Sequence, residues 1–282
     1  MVNATGVWAG DLEPSARLAP SKGAHVIVPA ARLGHPRAAL TVAADGEPGR
    51  WIFALPTRDQ RVIIGVTDEP CNPGERDTPS AEAGDVHVLI ETINHALTTR
   101  LEPTDVIGSY AGLRPLISGQ AGATADLSRR HAIIENPDSG LLTLLGGKLT
   151  TYRSMAQDAV DRIVARPGVT AGPCRTPHLP LVGAAPAAAL RRIDAPERLI
   201  HRYGTEAATV LALAARDPEL LAPLTDTVPV LGIELSFAIE HELALTVEDL
   251  LDRRTRIGLV PADRNAATDT ATALLAPLEA AA

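Results

Sequence analysis

Leu141-Leu142-Thr143-Leu144-Leu145-Gly146-Gly147-Lys148-Leu149-Thr150-Thr151-Tyr152-Arg153 decides the fold class. The apolar run before Gly146 has the length and composition of a buried strand. After it, Met155, Ala156, Ala159, Val160, Ile163 and Val164 recur at helical spacing. The unit is strand, glycine turn, helix, the building block of an α/β domain. Two glycines let a backbone or ligand approach closely, and a helix start offers unpaired N–H groups to an anion. Lys148 opposes the helix dipole there, a placement that makes sense if something negative binds. The stretch is not a nucleotide-binding P-loop. That would need Gly where Leu142 stands and Ser or Thr where Leu149 stands. A tight turn with a solvated Lys148 is the plainer alternative.

The chain has 282 residues, enough for one large or two ordinary domains, and 45% hydrophobic content supports a core. Aromatics are only 2%, so that core is built from Leu, Val, Ile and Ala. A net charge of -8 argues against nucleic acid as the main partner. Cys71 and Cys174 lack metal-ligand spacing and read as reduced thiols of a cytosolic protein. The histidines are scattered, so no metal site is indicated. No apolar run approaches the ~20 residues that span a bilayer, and no signal peptide is visible.

From the N-terminus, Val2-Asn3-Ala4-Thr5-Gly6 reads as the end of a buried strand meeting a glycine turn, as if the chain were entered in mid-domain. Ala24 to Val28, Leu40 to Ala43, Trp51 to Leu55, Arg61 to Val66 and Val106 to Tyr110 are strand candidates. Thr78 and Pro79 suit a helix start, with Val86, Leu89, Ile90, Ile93 and Leu97 on one face. His131 to Ile134 pairs with Leu141 to Leu145 across the turn Asn136-Pro137-Asp138-Ser139-Gly140. Residues 166–187, rich in Pro, Gly and Ala, read as a linker. Beyond them come only helix candidates: Pro196 to Tyr203, Glu206 to Ala215, Ser236 to Leu243, Thr246 to Arg253 and Arg264 to Leu278. The expected organisation is an α/β part over 1–165, a linker, and a small all-α domain over 188–282.

Arg114 closes a predicted strand before Pro115, and Arg129 and Arg130 follow a small-residue loop. Guanidinium groups suit bidentate recognition of phosphate or carboxylate, although surface arginines with local partners explain them too. His25 lies inside an apolar strand, where it serves either as a proton acceptor or as a core histidine. His131 reads more strongly as structural, and Asp68 as closing a turn. Arg253, Arg254 and Arg256 read as a solvated helix end, with anionic lipid as a weaker alternative.

Five stretches together resemble FAD-dependent glycerol-3-phosphate dehydrogenases of the aerobic, quinone-linked type. They are Val2-Asn3-Ala4-Thr5-Gly6-Val7-Trp8, Ser21-Lys22-Gly23-Ala24-His25-Val26-Ile27-Val28-Pro29, Ile64-Gly65-Val66-Thr67-Asp68, Tyr110-Ala111-Gly112-Leu113-Arg114-Pro115-Leu116, and Gly146 through Arg153. Leu250-Leu251-Asp252-Arg253-Arg254-Thr255-Arg256 is similar to that family's C-terminal region. The resemblance implies an FAD-binding α/β domain interleaved with a substrate-binding sheet, followed by a helical cap. It implies that Arg114 and Arg129 hold the phosphate of glycerol 3-phosphate, and that Lys148 lies beside flavin and substrate. It also puts His25 near the carbinol, with Gly6, Gly146, Gly147, Leu149 and Thr150 in the cofactor-binding set. His25, Lys148 and Arg114 are the catalytic candidates that follow from it. A quinone would take the electrons, and the enzyme would be cytoplasmic or peripheral on the inner face of the membrane.

The family's Gly-x-Gly-x-x-Gly turn, which seats the FAD pyrophosphate, occurs nowhere in the 282 residues. The resemblance is therefore to a C-terminal portion: a truncated, split or mis-started enzyme working with a separate flavin-binding half. A homo-oligomer is a further expected association. Two rivals stand beside this reading. One is a non-catalytic remnant or partner subunit; the other is part of a related flavin oxidase acting on an amino acid or amine.

Overall fold

The computed structural model describes residues 1–44, 49–118 and 130–279. Two sheets organise the first half. The smaller holds β1 (Val2–Asn3), β9 (Leu142–Gly146) and β8 (His131–Glu135) in that order. β1 runs parallel to β9, and β8 and β9 form the expected hairpin, with His131 opposite Gly146 and Ile133 opposite Leu144. Asn3 is buried and ties β1 down, its side-chain amide donating to the Ala9 carbonyl at 3.0 Å.

The larger sheet is centred on β2 (Ser21–Pro29). On one side lie β5 (Arg61–Gly65), β4 (Trp51–Pro56) and β3 (Leu40–Ala43), with the short β6 (Glu69–Pro70) continuing past β5. On the other side is β7 (Gly108–Arg114). Strand alternation sends Val26, Val28, Ile52, Ala54, Val62 and Ile64 to one face. There they form a core with Leu89, Ile90 and Ile93 of α2 (Ala83–Asn94). That helix starts at Ala83, later than Thr78-Pro79 suggests. Glu82 and Asp85 cap it instead, the Glu82 N–H donating to Asp85 Oδ2 at 2.9 Å.

The apolar face of α2 is broken at its first turn by charge. Lys22 is buried within 3.1 Å of Glu82 and 3.7 Å of Asp85 and Glu75. Burial pulls the Lys22 ammonium down, but the Glu82 hydrogen bond and the Asp85, Glu75 and Glu82 charges outweigh it and raise its pKa.

Helix α1 (Ala9–Leu12) follows β1, and α3 (Tyr152–Val164) follows β9. After α3 the described residues are mainly helical, with one isolated antiparallel bridge between Pro223 and Leu231: α4 (Ala187–Leu190), α5 (Glu197–Tyr203), α6 (Ala207–Ala212), α7 (Gly232–His241), a π-helical segment Asp249–Arg254, and α8 (Pro261–Glu279). Helix α7 begins at Gly232, ahead of the expected Ser236, because buried Glu234 caps it by accepting from the Leu231 N–H at 2.9 Å. Two cores hold this region, one around Leu250, Leu251 and Ile257 and one around Leu199, Ile233 and Phe237. It docks on the larger sheet through buried Arg61–Asp263 and through Arg198–Asp59 at 3.6 Å. No helix among the described residues is long and apolar enough to cross a membrane.

Candidate functional site

The face of the larger sheet opposite α2 gathers two of the candidate residues, His25 and Arg114. Antiparallel pairing puts Phe53, Gly65, His25 and Tyr110 in one row across four strands. The next row along β2 and β7 pairs Gly23 with Gly112, and the one beyond pairs Ser21 with Arg114. Gly65 is the bed for His25. A methyl added there would lie 2.8 Å from imidazole Cγ and Nε2, and closer still to Cδ2. On the other side the imidazole stacks on Tyr110, with ring centres 4.6 Å apart and planes at 5°. Gly23 does the same for Arg114, whose Nη2 would be 2.6 Å from a Cβ at that position. Gly112 is exposed, with no described residue near where a Cβ would project, so among the described residues the face is open beside both side chains.

Arg114 is held in place from three directions. It donates to Ser21 Oγ at 3.1 Å and to the Thr67 carbonyl at 3.2 Å, and pairs with Asp68 at 3.5 Å. Ser21 also donates to Asp68. Asp68, expected merely to close a turn, thus orients the guanidinium. His25 Nδ1 is buried with no hydrogen-bond partner among the described residues. Burial, then the charges of Arg114 and Arg256, bring the His25 pKa down to about 4, so the imidazole is neutral near pH 7.

Arg256 is the residue the sequence reading left out of the site. The expectation of a solvated basic cluster holds for Arg253, which is exposed and pairs with Asp249 at 2.8 Å. Arg254 donates to the Glu242 carbonyl at 2.6 Å. Arg256 is exposed as well, yet its charge lowers the pKa of both His25 and Tyr110 on the sheet. No local signal marks it, since both rings are far away in sequence.

The glycine turn lies on the smaller sheet. Gly146 and Gly147 both have positive φ, 65° and 85°, in the left-handed region that favours glycine. A Cβ on Gly146 would be 3.1 Å from Ile117 Cδ1, and Ile117 is only three residues beyond Arg114. The turn thus abuts the end of β7. Lys148, Leu149 and Thr150 are exposed at the start of the helical segment, and Lys148 forms no ion pair with another described residue. Gly6 opens a short 3-10 turn after β1 with φ 64°. Arg129 lies outside the described residues. His131 pairs with Asp158 at 2.7 Å, matching its structural reading.

A sheet beside a strand–glycine turn–helix unit, with an imidazole and a guanidinium on its open face, can hold an anion and accept a proton. Comparison with known sequences supplies the class. The model of the family described as FAD dependent oxidoreductase matches residues 1–153, and the chain belongs to that family. Residues 174–279 match the model described as the C-terminal domain of alpha-glycerophosphate oxidase.

Among individual proteins, the chain is 45% identical over 274 residues to glycerol-3-phosphate dehydrogenase 1 of Mycobacterium tuberculosis, covering 94% of this chain and 52% of that protein. It is 33% identical over 258 residues to the mitochondrial glycerol-3-phosphate dehydrogenase of Mus musculus, covering 86% and 34%. The solved structure of the Bacillus halodurans glycerol-3-phosphate dehydrogenase complexed with FAD superposes with a TM-score of 0.73 at 28% identity, over 99% of this chain and 61% of that one. The chain spans about half the length of the M. tuberculosis relative.

Proposed function

We propose that this chain carries the substrate-binding and proton-accepting part of an FAD-dependent enzyme that oxidises glycerol 3-phosphate to dihydroxyacetone phosphate. The observation that carries the reading is the sharing of one open sheet face by a braced Arg114 and an uncharged His25. Arg114 binds the phosphate dianion by charge-assisted hydrogen bonds, and Ser21, Asp68 and the Thr67 carbonyl fix its orientation beforehand. Arg129 is the proposed second phosphate ligand. His25 accepts the C2 hydroxyl proton at Nε2, the nitrogen left after Nδ1 is buried. Its lowered pKa keeps it unprotonated at neutral pH, ready to accept.

The residues fit the ring end of a flavin. The face is free of side chains at Gly112, and Lys148 to Thr150 present a cation and helix-start N–H groups that suit an electron-rich ring edge. Bound FAD supplies the hydride acceptor. With no Gly-x-Gly-x-x-Gly turn in these residues, the pyrophosphate is held by a flavin-binding stretch other than them. Quinone is the proposed final acceptor, and contact with the membrane is peripheral.

The test is calorimetric titration of the 282-residue chain with glycerol 3-phosphate and with glycerol. Binding of the phosphate ester alone is expected, weakened about 10- to 100-fold in Arg114→Ala by loss of charged hydrogen bonds. Equal binding to wild type and Arg114→Ala would remove Arg114 from the site.

A further inference from the structure

Arg114 lies on the open face of the larger sheet, but one of its partners is fixed from the opposite face. Ser21 and Lys22 are neighbours on β2, so their side chains leave the sheet on opposite sides. Ser21 meets Arg114 and Asp68. Lys22 enters the α2 side, where it is buried and pairs with Glu82, Asp85 and Glu75. Thr67 joins the two sides. Its hydroxyl accepts from the Ala24 N–H and donates to Asp85 Oδ1, both at 2.9 Å. Its carbonyl accepts from Arg114 Nη2 at 3.2 Å. Asp85 is in turn fixed at Oδ2, which accepts from the Glu82 N–H at 2.9 Å and lies 3.7 Å from the Lys22 ammonium. The contacts therefore run from Lys22 through Asp85 and Thr67 to the guanidinium, and Lys22, Asp85 and Thr67 are all buried.

Such a cluster is a costly way to fill a core. Desolvation of an ammonium and its carboxylates largely offsets their attraction, and apolar side chains of similar volume stabilise a fold as well or better. The core between sheet and α2 is built from Val26, Val28, Leu89, Ile90 and other apolar residues. What an apolar side chain cannot do is hold a hydroxyl by a hydrogen bond. We propose that Asp85 is a positioning residue for Arg114: from the far side of the sheet it locks the Thr67 hydroxyl, and so places the Thr67 carbonyl that orients the guanidinium, with Lys22 as its countercharge. The role rests on the reading of Arg114 as the phosphate ligand. It extends the anion site through the sheet to side chains on its opposite face.

The experiment uses the 282-residue chain and its Thr67→Val, Thr67→Ser, Asp85→Asn and Arg114→Ala variants. Nitrogen NMR of the guanidinium groups reads Arg114 without flavin or substrate. A guanidinium held by hydrogen bonds rotates slowly and shows resolved Nη signals, and Arg114→Ala identifies which signals are its own. In Thr67→Val the Arg114 signals are expected to average, whereas Thr67→Ser keeps the hydroxyl and should keep them resolved. Asp85→Asn retains one acceptor oxygen but not the charge, and its Arg114 should rotate faster than in wild type. Calorimetric titration with glycerol 3-phosphate is the second readout. Affinity should fall about 3- to 10-fold in Thr67→Val, with no further fall when the same substitution is made on Arg114→Ala. Resolved Arg114 signals in a wild-type chain that binds no phosphate ester would sink the phosphate-binding reading and leave the positioning result standing. If Asp85 and Thr67 serve only to hold α2 on the sheet, the melting temperature falls while Arg114 rotation and ligand affinity stay at wild-type values. That outcome overturns the proposal, and Asp85→Asn supplies the same comparison if Thr67→Val does not fold.

Discussion

Gly65→Ala is the most discriminating substitution at the site. The imidazole of His25 is sandwiched between the Gly65 backbone and the Tyr110 ring, 4.6 Å away centre to centre. A methyl at position 65 would stand 2.8 Å from two ring atoms and nearer to a third. Relaxed carbon contacts need about 3.5 Å, so the ring must shift by an ångström or so, and Tyr110 blocks the direct retreat. Overpacking of this kind costs about 1–3 kcal/mol. Gly65 does not have positive φ, so alanine returns about 0.4–1 kcal/mol by restricting the unfolded chain. The net loss of about 1–2 kcal/mol corresponds to a melting-temperature drop of about 2–8 °C for a protein of this size.

The second readout is the His25 titration. Burial is the main reason that pKa lies at about 4, so a ring forced off its bed into solvent should titrate closer to 6.5. Thermal unfolding and NMR titration of the same preparation test both. A Gly65→Ala protein that melts with wild type and keeps His25 near its original value would refute the claim that glycine is needed there to seat the imidazole.

Three further outcomes are expected. The folded His25 pKa lies below its ordinary 6.5, so the unfolded chain binds more protons between pH 6.5 and about 4; stability should fall as pH is lowered through that window and level off below it. His25→Phe, which keeps a ring against Tyr110, should flatten the profile, and an unchanged pH dependence of urea midpoints would contradict this. Asp263→Ala strands Arg61, whose side chain is only 11% exposed, and should cost about 3–5 kcal/mol in chemical denaturation; a loss below 1 kcal/mol would show that the pair adds little to docking. Purified alone, the chain should show no stoichiometric flavin spectrum, because it lacks the glycine fingerprint that seats the pyrophosphate; a yellow protein bleached by glycerol 3-phosphate would contradict that.

The sequence by itself determined the elements whose reasons are local. The β8–β9 hairpin follows from Asn136-Pro137-Asp138-Ser139-Gly140 between two apolar runs, and α2 buries the Leu89, Ile90 and Ile93 stripe its periodicity announces. The strand–glycine turn–helix around Gly146 is equally legible, because the left-handed backbone there demands glycine. His25 and Arg114 were visible as candidates, since an imidazole in an apolar strand and an arginine at a strand end stand out against their neighbours. Their placement on one face was not visible. It depends on β2 pairing with β7 in the register that sets Ser21 opposite Arg114 and His25 opposite Tyr110, a long-range choice with no local trace. Asp68 looked like a turn residue because its partner is remote in sequence, at Arg114. Arg256 is solvent-facing as its sequence suggests, but its charge acts on His25. The docking of Leu259 onto Gly108 brings its segment to the sheet, and close approach of two backbones is a property of the folded chain that a single sequence does not write down.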